Sequence, residues 1–182
     1  MDELELIEKC KNNDSEAFEK LIIMYEAKIY NLCFYILKNK EDSLDAAQDV
    51  CVKIYKSISK FKGDSKFSTW VYRVTYNTCI DLVKKRKDDI PYDDFINSES
   101  NSENKVDGII ETRELKMEIK NCIMKLNDDF RTIVILRDID GLSYQEIAGI
   151  LNIEVGTVKS RLSRARENLK NELIKNGVVR RC

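Results

Sequence analysis

Apolar residues recur along this chain at steps of three and four with polar residues between them, the pattern of amphipathic helices rather than of strands. From Asp14 onward, Phe18, Leu21, Ile22, Tyr25, Ile29, Leu32 and Ile36 form one such stripe, with Asp14 or Ser15 placed as N-cap. After Asn39-Lys40-Glu41 a second stripe puts Leu44, Ala47, Val50, Cys51, Ile54, Ile58 and Phe61 on one face and Asp45, Gln48, Asp49, Lys53 and Lys56 on the other, ending near Gly63. A polar loop, Lys62 to Lys66, leads to a third helix beginning around Ser68-Thr69. It buries Trp70 or Val71, Val74, Thr78 and Leu82 and runs into Lys84-Lys85-Arg86-Lys87, where cations suit a helix C-terminus.

Residues 88–111 carry the only proline and many Ser, Asn and Asp, without sustained period, and read as a flexible acidic linker. Periodicity returns beyond it. Thr112 can cap a helix through Leu115, Ile119, Cys122, Ile123 and Leu126, and Asn127 can cap another through Phe130, Ile133, Val134 and Arg137. Ser143 and Glu146 form a capping box ahead of Ile147 and Ala148, and a last helix covers roughly 155–174. The expected fold is all-α: two small helical domains, 1–87 and 112–178, joined by that linker.

Composition narrows the chemistry. Of 182 residues, 43% are hydrophobic and 35% charged, enough apolar material for cores under an unusually charged surface. There is no histidine, which removes His-based triads, HExxH sites and Cys2His2 fingers. Cys10, Cys33, Cys51, Cys79, Cys122 and Cys182 form no C-x-x-C pair and mostly sit among apolar neighbours, so inert thiols are expected. Neither a metal nor another cofactor is expected. The acidic start, Met1-Asp-Glu-Leu-Glu, is unlike a signal peptide and no apolar run approaches a membrane span, so the expected location is the cytoplasm.

A net charge of -1 would argue against a nucleic-acid partner if charge were spread evenly. It is not. Residues 84–87 carry +4, residues 88–118 carry 10 acidic against 3 basic side chains, and residues 155–182 carry 8 basic against 2 acidic. The acidic linker is thereby expected to disfavour DNA binding by the free chain.

The segment SYQEIAGILNIEVGTVKSRLSRAREN has the features of a helix-turn-helix. Ala148 permits close approach; Ile147, Leu151, Ile153, Val158 and Leu162 supply the apolar positions; Asn152 falls where the turn needs a left-handed backbone. The second helix presents Thr157, Lys159, Ser160, Arg161, Ser163, Arg164 and Arg166, a composition suited to guanine edges and phosphates in the major groove.

The string DSLDAAQDVCVKIYKSISKFKGDSKFSTWVYRVTYNTCIDLVKKRK resembles region two of the sigma-70 family of RNA polymerase sigma factors. The string LKMEIKNCIMKLNDDFRTIVILRDIDGLSYQEIAGILNIEVGTVKSRLSRARENLK is similar to region four, and the short two-domain layout resembles the extracytoplasmic-function subgroup. The resemblance implies a non-enzymatic promoter-specificity factor that binds core RNA polymerase and promoter DNA, with no small-molecule substrate. It also implies stress-type promoters and control by an anti-sigma factor, in the subgroup often membrane-bound.

On the same resemblance, Asp45, Gln48, Asp49, Lys53 and Tyr55 would dock on the clamp coiled coil of the polymerase. Ser65, Lys66, Phe67, Ser68, Thr69, Arg73, Asn77, Lys84, Lys85 and Arg86 would read and open the minus 10 element, by stacking, base-edge bonds and strand phosphates. Trp70 is expected in the core; Tyr72 and Tyr76 stay open. Thr157, Lys159, Ser160, Arg161, Ser163, Arg164 and Arg166 would read the minus 35 element, with Ser163 standing where many relatives carry a larger side chain. The rival is a LuxR-type regulator binding duplex operator without polymerase, which shares the helix-turn-helix but not the first domain. A helical enzyme has little support: no Gly-rich phosphate loop is present, and Asp128, Asp129, Asp138 and Asp140 look like caps and turns.

Overall fold

A computed structural model describes residues 2–89 and 110–179, with side chains described for 2–86 and 114–179. Most of the expected linker lies outside these residues. The chain splits into two compact units, one built on the N-terminal helices and one on the C-terminal helices. Every regular element among the described residues is helical.

In the first unit, α1 (Glu3–Lys11), which the hydrophobic pattern had not separated out, is capped by Asp2 and buries Leu6, Ile7 and Cys10. The stripe from Asp14 to Ile36 is not one helix but two, α2 (Ser15–Ile23) and α3 (Glu26–Leu37). The break at Met24-Tyr25 follows from Tyr25, which is drawn inward: its ring lies edge-on to Phe67 at 5.5 Å and its hydroxyl pairs with Glu3. Because Tyr25 still falls on the three-four pattern, the stripe continues across a change of direction. Asp14 caps α2, its carboxylate accepting from Ala17 N at 3.0 Å, an arrangement that stabilises a helix start by about 1 kcal/mol.

Helix α4 (Lys40–Ser57) is capped by Asn39 and buries Ser43, Ala46, Val50 and Ile54. This face is rotated from the expected one: Leu44 is 46% exposed, while Ala47 and Cys51 are only half-buried. The turn Ile58–Lys60 and Gly63, at φ 83°, lead into α5 (Phe67–Asp89). Val71, Tyr72, Thr75, Thr78 and Cys79 form its buried side, and Trp70, Val74 and Leu82 are half-buried. Helices α3, α4 and α5 pack on one another to make the core of this unit.

The second unit starts with α6 (Ile110–Met124), so Thr112 lies inside the helix rather than capping it, and Leu115 is exposed rather than buried. Asn127 caps α7 (Asp128–Val134) as expected, its side chain accepting from Phe130 N at 2.8 Å. A π-helical turn, Ile135–Ile139, follows, with Asp140 N donating to Ile135 O at 2.9 Å. Arg131 is fully buried and caps the end of α6, donating to Met124 O at 3.0 Å and Leu126 O at 2.8 Å while pairing with Asp128. Burial pulls its pKa down and the Asp128 carboxylate pushes it back up. Helix α8 (Tyr144–Leu151) carries the capping box: Ser143 N donates to Glu146 and Glu146 N to Ser143. Asn152 adopts φ 53°, and α9 (Val155–Lys175) follows, burying Val158, Leu162 and Ala165.

Candidate nucleic-acid interface

Each of α4, α5 and α9 turns by roughly 100° per residue, so its buried set fixes what faces outward. On α9 the positions opposite Val158, Leu162 and Ala165 are Ser160 and Ser163, with Lys159 and Arg164 on either side; all four are exposed. Thr157 is half-buried and its carbonyl accepts from the Ser160 hydroxyl at 3.1 Å. Arg161 and Arg166 lie nearer the packed side, on opposite flanks of the helix. Arg161 Nη1 is 2.9 Å from Asp129 Oδ2, and Arg166 Nε donates to Asp138 Oδ2 at 3.0 Å. The seven expected readers therefore divide: four are exposed, two arginines are engaged by carboxylates of the same unit, and Thr157 is half-buried. Asp128, Asp129 and Asp138 serve as charge partners of Arg131, Arg161 and Arg166, more than as the caps and turns expected of them.

On α5, Arg73, Asn77 and Lys84 fall on one exposed line opposite the buried side. An Arg and a Lys flanking an amide supply phosphate contacts around a base-edge contact. Lys66 and Lys85 are also exposed, and Ser65 and Ser68 are half-buried. Two expected contacts are corrected. Phe67 is 3% exposed and Thr69 2%. Phe67 is surrounded by Tyr25 at 5.5 Å, Phe61 at 5.3 Å and Trp70 at 5.5 Å, so its ring packs against the base of the loop and is not on the surface. Trp70 lies at the edge of this aromatic cluster, half-buried rather than deep in the core. Of the two open tyrosines, Tyr72 is buried and Tyr76 half-buried. Arg86 is exposed but ion-paired with Asp42 at the start of α4.

The outer surface of α4 has two flanks. Asp49 and Lys53 turn toward α5: Lys53 Nζ donates to Thr78 Oγ1 at 3.0 Å, and together with Asp81, Lys84 and Lys85 they line a groove of about 420 Å3. Gln48 and Tyr55 face the other way, with exposed Asp45 between the flanks. Leu44 and Val52, respectively 46% and 49% exposed, lie beside Gln48 and Tyr55, so Leu44 faces outward where the three-four stripe places it in the core. A rotation of the buried face by one position, toward Ser43 and Ala46, would have revealed them. Tyr55 is steadied by the Phe18 ring, edge-on at 4.9 Å. This flank is a mixed apolar and polar strip, the composition of a protein-binding surface more than of a nucleic-acid one.

Five cysteines among the described residues are free. Burial raises the thiol pKa of Cys10, Cys51 and Cys122, and that of Cys79 is raised by a hydrogen bond with Cys33 together with burial. Raised values mean little thiolate, which is what makes a thiol inert. No helix among the described residues is long and apolar enough to cross a membrane.

Comparison with known proteins agrees with this layout. The family model for sigma-70 region 2 matches residues 21–88 and that for sigma-70 region 4 matches residues 116–169. The ECF RNA polymerase sigma factor SigW of Bacillus subtilis is 38% identical over 176 residues, covering 92% of this chain and 94% of its own. The ECF RNA polymerase sigma-E factor of Escherichia coli K12 is 34% identical over 181 residues, covering 92% of each chain. Among solved structures, RpoE of Bartonella quintana in complex with the anti-sigma factor NepR superposes with a TM-score of 0.70 at 24% identity, covering 86% of this chain and 96% of that one. CnrH in complex with the cytosolic domain of CnrY gives 0.68 at 22% identity, covering 92% and 94%. A region-2 domain preceding the helix-turn-helix sets aside the LuxR-type alternative. The chain belongs to the sigma-70 family of RNA polymerase sigma factors, within the extracytoplasmic-function group.

Proposed function

We propose that this chain acts as a promoter-specificity factor whose surfaces divide the work as their chemistry divides them. The α4 strip of Leu44, Asp45, Gln48, Val52 and Tyr55 docks on the clamp coiled coil of core RNA polymerase, where two apolar side chains give a polar strip something to bury. Asp49 and Lys53 border it on the α5 side. Along α5, Arg73 and Lys84 hold strand phosphates around Asn77 at the minus 10 element, with Lys66 and Lys85 adding cations and Ser65 and Ser68 in the loop. On α9, Lys159, Ser160, Ser163 and Arg164 enter the major groove of the minus 35 element. The chain performs no reaction of its own: the polymerase supplies the phosphoryl chemistry and this protein supplies recognition and strand opening.

What supports this reading above all is that both sigma regions occur in order in one chain, each with an exposed cationic helix. Control by an anti-sigma factor in the cytoplasm belongs to the same proposal, supported by the Bartonella relative, which was solved with such a partner. Run-off transcription with purified core polymerase over a genomic library tests it. Initiation from a defined subset of promoters is expected only when the chain is added; no binding to core and no added transcript would refute the reading.

A further inference from the structure

The basic side chains of α9 are not equivalent. Lys159 and Arg164 extend from exposed positions. Arg166 is held by two carboxylate oxygens of Asp138, through Nε at 3.0 Å and through Nη2. Asp138 belongs to the π-helical turn Ile135–Ile139, an insertion of one extra residue per turn that often marks a functional position. Its neighbour Arg137 donates to Leu142 O at 2.7 Å and lies 4.8 Å from the centre of the Tyr144 ring. Lys159 Nζ approaches the same ring at 5.9 Å. Tyr144, the first residue of α8, thus faces one cation from the π turn and one from α9.

We infer that Asp138, Tyr144 and Arg166 are positioning residues that fix how α9 is presented, and that Arg166 does not read a base. This rests on the proposal that α9 enters duplex DNA. Asp138 takes the Nε–Nη2 edge of the Arg166 guanidinium, which holds this side chain toward the π turn on the flank of α9 instead of along its outward line. Its charge already faces the Asp138 carboxylate, so it is expected to add less to the count of phosphates neutralised on binding than Arg164 does. The Tyr144 ring, in turn, sets the direction of Lys159, a side chain that otherwise has many rotamers.

The test uses the full chain with core polymerase on a promoter duplex recovered by run-off transcription, following Kd against salt and against single substitutions in the minus 35 element. R164A is the reference: it is expected to lower the salt slope by about one and to relax preference at one base pair. R166A and D138N are expected to weaken all minus 35 sequences alike, about tenfold, with the slope changed less than in R164A, and the double variant to be no weaker than either single one. Y144F keeps the ring and Y144A removes it, so Lys159-dependent binding should survive the first and fall in the second. The inference is overturned if R166A relaxes preference at one base pair or lowers the slope by about one, or if D138N tightens binding by freeing Arg166 for phosphate. If R164A and K159A also change nothing, the DNA-reading role of α9 fails and the inference fails with it, an outcome distinct from the preceding one.

Discussion

Helices α4 and α9 look alike as patterns, each with one buried stripe and one polar face, yet their outer faces are built for different partners. On α4, Leu44, Val52 and Tyr55 interleave with Asp45 and Gln48, and three large apolar side chains stand about half exposed. On α9, the outward line is Ser160 and Ser163 between Lys159 and Arg164, with no large apolar side chain. Apolar area left in water is recovered against another protein, whereas small hydroxyls between cations leave room for a groove edge and its phosphates. The difference teaches that an exposed stripe identifies its partner by what is mixed among the charges, not by the sign of the charges alone.

The harshest way to test that separation is to damage one unit and ask what the other does. R131M removes both hydrogen bonds to the end of α6, where the Met124 and Leu126 carbonyls lose a buried donor. A loss of about 2–4 kcal/mol is expected, read by hydrogen exchange as lost protection in the second unit while α3, α4 and α5 keep theirs. Next in size, V52D should weaken binding to core polymerase by about 2 kcal/mol or more with the melting temperature unchanged, because Val52 is already half in water. R164A should leave core affinity intact and cost about 1–3 kcal/mol in promoter binding; a shift in core affinity instead would erase the distinction between the two faces.

The smallest effect is alkaline. Burial raises the thiol pKa of Cys10, Cys51 and Cys122 above the ordinary 9.0, and Tyr25 is raised by burial and by Glu3. Groups raised in the folded state contribute stability that is fully present below their unfolded values and lost as pH climbs through the folded ones. Denaturant midpoints should therefore fall from about pH 9 upward. With no histidine to titrate, this set of groups has no counterpart between pH 6 and 8, and a flat midpoint there is the expected baseline.

Much of this was legible in the chain because much of it is local. Asn127, the Ser143–Glu146 capping box and the left-handed Asn152 each depend on hydrogen bonds or sterics within a few residues, and each stands where the sequence put it. What sequence could not carry is set by residues far apart. Phe67 looked like a loop aromatic free to stack on a base until Tyr25, Phe61 and Trp70 closed around it. The pairing of Arg166 could not be read from the chain because its partner, Asp138, lies 28 residues away. The missed flank of α4 is a subtler case: Leu44 and Ala46 both fit a three-four stripe, and only packing against α3 and α5 decides which one is buried. Helix α1 was within reach, since Leu6, Ile7 and Cys10 follow an Asp2 cap at helical spacing.

The aromatic cluster beneath the loop has a practical consequence of another kind. Trp70 is the only tryptophan in the chain, half-buried against Phe61 and Phe67 and one turn from Arg73 on the helix proposed to grip the opened strand. Movement of that loop is expected to change the polarity around the chain's single indole, which can be excited apart from its eight tyrosines. The chain thus carries its own optical reporter for that loop, readable in real time without a label.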